Sequence, residues 1–182
     1  MLILAIDSTG LAASAALVIE EKILAEYTTN YKKTHSQTLL PIIAECFRVT
    51  GLNVSDVDYI ACASGPGSFT GIRIGAATAK GLAFAHNKPI VPVAALDALA
   101  YNIGRTENII LPVMDARREQ VYAACYLCGG QHIKRLSDYV CEDALFTAKE
   151  ALKKAEELCG NNEIYGVTVL GDGSEVVKRA IE

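Results

Sequence analysis

The chain carries one pattern twice, and this repeat constrains its fold more than any other feature. The apolar run 2–6 ends at Asp7, and the apolar run 109–114 ends at Asp115. In both places a turn, a second apolar strand and a polar turn follow without a gap. Such self-similarity predicts two copies of one structural unit, although two ordinary α/β patterns can also agree by coincidence.

A glycine-rich turn follows a buried strand in each half. The turns are Gly65-Pro66-Gly67-Ser68 and Gly171-Asp172-Gly173-Ser174, separated by nearly the same length of chain as the two aspartates. Backbone N–H groups at a strand–glycine–helix turn can bind an anion, but glycines can also serve close packing alone. Asp7 likewise suits either a magnesium–phosphate group or a bond to its own turn. The residues assigned to a nucleotide or anion turn are Asp7, Ser8, Gly65, Gly67 and Ser68.

The order of the elements predicts an α/β fold. Three strands form a meander, a helix, strand, helix and strand follow, and the pattern begins again after Gly104. This order is typical of a mixed sheet with helices, so we expect two domains, 1–104 and 105–182. It resembles the duplicated actin/Hsp70/sugar-kinase-like (RNase H-like) fold, with a mixed five-stranded sheet and helices. By that comparison the second half is shortened and lacks its last strand and helix.

Small residues recur along the helix predicted over 70–86. Gly71, Gly75, Ala79 and Ala83 are spaced every fourth residue and therefore share one helical face. Glycine inside a helix costs about 1 kcal/mol against alanine, which close packing normally offsets. The stripe fits either another helix or the chain's own sheet, and both alternatives stay open.

A second helix is predicted over 36–49, with an apolar stripe of its own. We expect the two helices to form half of a four-helix interface with a partner chain. The residues assigned to partner binding are Leu39, Ile43, Phe47, Gly71, Ile72, Gly75, Ala79 and Ala83.

The composition argues against several classes of protein. The net charge of −4 does not fit a strongly basic nucleic-acid surface. Neither a signal peptide nor a membrane-spanning run is found, so we expect a cytoplasmic protein without membrane contact. The six cysteines are therefore interpreted as reduced, buried thiols. Cys125 and Cys128 form a lone C-x-x-C motif without a second pair or a nearby histidine to complete a zinc set.

No motif for catalysis is complete in this sequence. His35, His86 and His132 are too far apart to form an H-x-x-x-H metal pair, and His35 is interpreted as an exposed residue near a helix start. Ser68 has no G-x-S-x-G motif around it, and no G-x-x-x-x-G-K-[ST] loop exists. We therefore expect no catalytic residue, no metal and no cofactor.

Five motifs together resemble the TsaB (YeaZ) family. They are Ala5-Ile6-Asp7-Ser8, His35-Ser36-Gln37, Gly65-Pro66-Gly67-Ser68-Phe69-Thr70-Gly71-Ile72-Arg73, Asp115-Ala116-Arg117-Arg118 and Gly171-Asp172-Gly173. The resemblance runs along nearly the whole chain. It departs from the family at Gln37, where glutamate is common, and in a shorter C-terminal segment.

This resemblance implies a role in tRNA processing, in the biosynthesis of threonylcarbamoyladenosine next to the anticodon. Family members are the non-catalytic partner of the transferase TsaD, work with the ATPase TsaE, and form homodimers when TsaD is absent. The chain is therefore expected to be inactive alone and to meet tRNA only through the complex. The alternatives are a small ATP-binding enzyme of the same fold, a kinase or an ATPase, and a peptidase, for which the sequence supplies no convincing nucleophile or metal.

Overall fold

The chain folds into two compact units, Met1–Ala95 and Leu96–Glu182. The structure is a computed structural model that describes residues 1–20, 22–31, 34–129, 132–159 and 166–182. The division lies before the boundary predicted at 104, because the helix that follows Ala94 bonds to the second unit. The Asp97 carboxylate on that helix accepts hydrogen bonds from the hydroxyls of Tyr126, at 2.6 Å, and Tyr139, at 2.9 Å.

The first unit is a mixed five-stranded sheet with two long helices. Its elements are β1 (Leu2–Asp7), β2 (Ala13–Ile19), β3 (Lys22–Thr29), α1 (His35–Thr50), a 3₁₀ turn (Val54–Asp56), β4 (Tyr59–Gly65), α2 (Phe69–His86) and β5 (Ile90–Ala94). The strand order is β3-β2-β1-β4-β5. β1 runs antiparallel to β2 and parallel to β4, and β4 runs parallel to β5. This confirms the mixed five-stranded sheet predicted from the sequence.

Both long helices have clear signals at their ends. α1 ends where Gly51 adopts a left-handed conformation at φ 70°, which glycine tolerates without steric cost. Ser68 caps the start of α2, where its hydroxyl accepts a hydrogen bond from the backbone N–H of Gly71. The residue that follows the last turn of α2, Asn87, also adopts a left-handed conformation. The two helices therefore agree closely with the spans predicted at 36–49 and 70–86.

The second unit repeats this topology with interrupted strands. Its elements are α3 (Ala95–Tyr101), which starts at the last residue of the first unit, β6 (Ile109–Arg117), β7 (Gln120–Ala123), β8 (Tyr126–Gly129), β9 (His132–Arg135), β10 (Val140–Asp143), α4 (Ala144–Cys159), β11 (Val167–Leu170) and α5 (Ser174–Ile181). β7 and β8 both pair antiparallel with β6, and together they occupy the place of β2. β9 and β10 pair with them in the place of β3. β11 runs parallel to β6 as β4 does to β1, which confirms the duplicated α/β fold.

β7 and β8 follow each other along the chain and are separated only by Ala124 and Cys125. There the backbone N–H of Cys125 donates to the Ser137 hydroxyl at 2.9 Å, and the Cys125 carbonyl accepts from Leu136 at 2.7 Å. Side-chain and backbone groups thus replace the regular ladder. Within the described residues, no strand pairs with the remaining edge of β11.

Most of the described cysteines are buried, as the sequence predicts. Cys46, Cys62 and Cys125 are buried, and burial raises the pKa of each thiol. Two cysteines differ from the expectation: Cys128 is half-buried, and Cys141 lies exposed on β10, which pairs with β7 at one edge of the sheet. The side chain of Cys159 lies outside the described part of the chain. In the ranges that the structure describes, no helix is both long and apolar enough to cross a bilayer.

Candidate functional site

The carboxylate of Asp7 is engaged by the turn that follows β1. One carboxylate oxygen accepts hydrogen bonds from the backbone N–H of Thr9 at 2.8 Å and from its hydroxyl at 2.7 Å. Aspartate side chains commonly close turns in this way. Of the two alternatives left open for Asp7, the bond to its own turn is therefore the one visible in the structure.

The first glycine turn packs directly against that same segment. A Cβ on Gly67 would overlap the carbonyl oxygen of Thr9, and one on Gly71 would overlap that of Ser8. The backbone N–H of Ser68 donates to the Thr9 carbonyl at 2.7 Å. Because side chains at both glycines would collide with backbone, close packing by itself explains why glycine occupies these positions. Binding of an anion at this turn stays a prediction.

The second glycine turn repeats this arrangement in the other unit. A Cβ on Gly171, at φ 105°, would overlap the carbonyl oxygen of Val113. A carboxylate oxygen of Asp172 accepts a hydrogen bond from the backbone N–H of Asp115 at 3.2 Å. The turn after β4 therefore packs against the end of β1, and the turn after β11 packs against β6.

The small-residue stripe of α2 faces the sheet of its own unit. Gly71, Gly75, Ala79 and Ala83 are all buried. A Cβ on Gly75 would meet the hydroxyl oxygen of Ser8 at 2.6 Å and the thiol sulfur of Cys62 at 3.7 Å. The Ser8 hydroxyl in turn donates to the Gly71 carbonyl at 2.8 Å. The stripe thus brings α2 close to β1 and β4, which is the second of the two alternatives left open by the sequence.

Among the other residues assigned to partner binding, two are in the core and two are half-buried. Leu39 and Ile43 of α1 are buried in the core of the first unit. Phe47 is half-buried and packs against that core, and Ile72 of α2 is half-buried. Six of the eight assigned residues are therefore taken up inside the unit.

The outer faces of α1 and α2 expose large apolar side chains. Phe84 is 92% exposed, Phe69 is 68% exposed and Leu40 is 53% exposed. The guanidinium of Arg73 lies 3.7 Å from the centre of the Phe69 ring. Apart from the chain neighbours and the helix backbone around it, a Cβ on the exposed Gly81 would meet no atom of the described residues within 4 Å. We call Leu40, Phe69, Arg73, Gly81 and Phe84 the outer helix surface.

The sequence analysis did not identify the outer helix surface, because it assigned partner binding to the more regular stripe of small residues on α2. The signal was nevertheless present. Phe69 and Phe84 are out of phase with the small stripe, and a phenylalanine on the polar side of a helix is unusual.

The histidine at the start of α1 has a local role. Nε2 of His35 lies 3.0 Å from the carbonyl oxygen of Gly10, and the side chain is half-buried rather than exposed as expected. This contact connects the helix start to the turn after β1. Over the described ranges, no group of three histidine, cysteine or acidic side chains is placed to hold a metal ion.

Known proteins resemble this chain in sequence and in fold. Residues 22–180 match the family model described as TsaD, tRNA N6-adenosine threonylcarbamoyltransferase. The tRNA threonylcarbamoyladenosine biosynthesis protein TsaB of Bacillus subtilis is 40% identical over 126 residues, which cover 69% of this chain and 55% of that protein. TsaB of Escherichia coli is 35% identical over 128 residues, covering 69% and 55% respectively.

A solved structure of YeaZ from Pseudomonas aeruginosa is 31% identical, with a TM-score of 0.71 over 79% of this chain and 68% of that one. The chain spans about half the length of the curated relatives it matches. The YeaZ structure agrees with the duplicated α/β fold of this chain.

Proposed function

Because this chain belongs to the TsaB (YeaZ) family, we propose that it acts as a non-catalytic subunit in tRNA threonylcarbamoyladenosine biosynthesis. Its partner is a TsaD-like transferase, and a TsaE-like ATPase works with the pair. The similarity to the curated TsaB proteins carries the proposal. The match to the TsaD family model supports a related fold for the partner, so that two similar chains pair with each other.

The local chemistry of the first unit supports a non-catalytic role. The Ser68 hydroxyl accepts the Gly71 N–H at the start of α2, and the Asp7 carboxylate accepts two hydrogen bonds from Thr9. His35 contacts the Gly10 carbonyl. Each of the side chains best suited to acid–base or nucleophilic chemistry near the turn thus has a structural partner.

We place the partner contact on the outer helix surface. Leu40 and Phe84 supply apolar area on α1 and α2, and large exposed apolar side chains are typical of protein–protein interfaces. Gly81 would let a partner approach α2 closely, because no atom in the described part of the chain occupies the space beside it. The buried stripe supports this contact indirectly, since it fixes α2 against the sheet.

Reconstitution tests the function. The chain is mixed with its cognate TsaD and TsaE, unmodified tRNA and threonylcarbamoyl-adenylate, and the modified adenosine is measured with and without the chain. We expect modification to require the chain, and the chain alone to produce none. Equal modification without it, or modification or ATP turnover by the chain alone, would contradict the proposal.

A pair of variants tests the surface in the same assay. Phe84→Asp puts a charge on the outer helix surface and is expected to lower modification at least tenfold, because a charge is poorly tolerated inside an apolar contact. Phe146→Asp changes an exposed phenylalanine on α4 in the second unit and serves as the matched control. Equal activity of the two variants would remove the outer helix surface from the proposal but leave the function itself intact.

A further inference from the structure

Three arginines converge on one recess of the second unit. Arg117 is the last residue of β6, Arg118 lies in the turn to β7, and Arg179 lies on α5. The recess has a volume of about 510 Å³, and Leu145 and Val176 contribute an apolar part of its lining. We call this cavity the arginine recess.

In the described part of the chain, no ion pair neutralises these three guanidinium groups. The ion pairs found there join Arg48 to Glu45 and Arg135 to Asp97, both outside the recess. Arg179 donates from Nε to the backbone carbonyl of Glu175 at 3.2 Å, and a neutral carbonyl does not cancel its charge.

Three carboxylates, those of Asp115, Glu119 and Asp143, also line the recess, and backbone groups hold two of them. Asp115 accepts a hydrogen bond from the N–H of Arg117 at 2.6 Å, and Asp143 accepts one from the N–H of Phe146 at 2.9 Å. These bonds orient the two carboxylates toward backbone N–H groups without cancelling their charge, and in the described part of the chain none of the three carboxylates forms an ion pair with the arginines.

The backbone of the turn keeps an unfavourable conformation. Arg117, Arg118 and Glu119 have φ values of 66°, 55° and 63°, in the left-handed region. This region costs residues other than glycine roughly 1–2 kcal/mol each. Two-residue hairpin loops of this type prefer Asn-Gly, which would remove most of the strain.

The turn is nevertheless firmly attached to its surroundings. Besides the bond from Asp115, the carbonyl oxygen of Glu119 accepts a hydrogen bond from the N–H of Ala144, the first residue of α4, at 2.9 Å. The arginines therefore project from a fixed backbone. Strain retained at a well-supported position is characteristic of sites with a function.

We propose that the arginine recess binds a phosphate group, carried either by a free nucleotide or by an RNA backbone. The planar guanidinium fork matches phosphate oxygens in a bidentate geometry, and three such groups around one cavity can surround a single phosphate. The apolar lining suits the sugar or base attached to it. This proposal goes beyond the accessory role, because the recess needs no partner subunit to bind.

Direct binding tests it with two probes on the full chain. Pyrophosphate is titrated by calorimetry, and a short fluorescein-labelled single-stranded RNA is followed by anisotropy over a range of salt concentrations. The test variant is Arg118→Gln combined with Arg179→Gln. The matched control is Arg105→Gln, which removes an exposed arginine of the same unit from outside the recess.

We expect the double variant to bind at least one probe about tenfold more weakly than wild type, and the control to bind like wild type. For RNA, the slope of log affinity against log salt concentration should fall by about one for each phosphate that the variant no longer neutralises. Weaker binding confined to pyrophosphate identifies a free nucleotide as the source of the phosphate, and weaker binding confined to RNA identifies the backbone.

Two results would overturn the proposal. One is wild-type protein that binds neither probe, and the other is a double variant that binds both as well as Arg105→Gln does. Circular dichroism melting verifies that each variant is folded. If the double variant is not, Arg179→Gln alone gives the same comparison, with a smaller expected reduction in affinity of about threefold.

Discussion

Replacing either of two glycines of α2 by alanine is expected to change stability, in opposite directions. Gly71→Ala places a methyl group against the carbonyl oxygen of Ser8, so the turn after β1 must shift. Overpacking of this kind destabilises by about 1–3 kcal/mol. Gly81→Ala enters open space on an exposed helical face and should stabilise by about 1 kcal/mol, because alanine favours the helix.

Urea unfolding followed by circular dichroism checks this pair. The expected order of unfolding midpoints is Gly81→Ala above wild type and Gly71→Ala below it. Since both changes add the same methyl group to the same helix, helix propensity alone predicts an increase for both. An increase for both would therefore mean that α2 packs less closely against Ser8 than the structure shows.

The buried tyrosine of β8 predicts a decrease in stability at alkaline pH. Burial and the Asp97 carboxylate raise the pKa of Tyr126 above its ordinary value of about 10. The folded protein thus holds this proton more tightly than the unfolded chain does. The stabilisation is complete below pH 10 and is lost as the pH rises above the pKa of the unfolded chain.

Unfolding at pH 8 and at pH 11 measures this effect. The wild-type free energy of unfolding should fall between the two pH values by up to about 1.4 kcal/mol from this group. Tyr126→Phe should be less stable at pH 8, because it lacks the bond to Asp97, and should show a smaller fall. Tyr101→Phe, on an exposed tyrosine of α3, controls for removal of a hydroxyl. A fall of equal size in all three proteins would exclude Tyr126 as the cause.

At the scale of the element, the sequence predicts where a helix runs better than what it faces. Period and end signals define α1 and α2 closely, because Gly51 and Ser68 act locally. The stripe from Gly71 to Ala83 indicates close approach, yet small side chains look the same whether they meet a sheet or another chain. Only the positions of Ser8 and Cys62, distant in sequence, decide that the sheet is the neighbour.

The strand interruption at Cys125 had no local signal. Polar and apolar residues alternate poorly over 121–129, and no glycine or proline lies between β7 and β8. The interruption depends on Ser137, whose hydroxyl accepts the N–H of Cys125 from across the sheet. A side chain that replaces a ladder bond between distant residues cannot be identified from periodicity.

Relieving the backbone strain in the turn between β6 and β7 is expected to raise stability and to weaken phosphate binding. Arg118→Asn combined with Glu119→Gly supplies the residues that a two-residue loop with positive φ prefers. We expect about 1–2 kcal/mol of added stability and a higher melting temperature. If the arginine recess binds phosphate, the same variant should bind pyrophosphate or RNA more weakly.

Calorimetric melting and the binding assays, applied to one preparation, check both the stability and the binding. A gain in stability with unchanged binding would show that Arg118 is dispensable for the recess. No gain in stability would mean that the turn is not strained.

At the scale of the whole molecule, the duplication was predictable because the same two sequence features, an aspartate after an apolar run and a glycine turn, occur in both halves. Asp7 ends β1 and Asp115 lies two residues before the end of β6, and in the structure a glycine turn packs against each of these strands. The place where the units divide had no such signal. Asp97 binds two tyrosines far along the chain, and these contacts assign α3 to the second unit.

The outer helix surface leads to a prediction about assembly. If one surface serves both a second copy of this chain and a TsaD-like partner, the two complexes exclude each other. Light scattering after size exclusion should then give a dimer for the chain alone and a monomer for Phe84→Asp. Phe146→Asp, with its charge on α4, should remain a dimer.

Adding TsaD decides whether the surface is shared. Titration of a labelled dimer with the partner should release one labelled copy for each heterodimer formed, and excess unlabelled chain should reverse the exchange. Leu40 and Phe84 are large and exposed on neighbouring helices, so a partner that covers both occupies the outer helix surface and excludes a second copy from it. A stable assembly of two copies of this chain with TsaD would require a second surface. The prediction that the two partners compete would then be wrong.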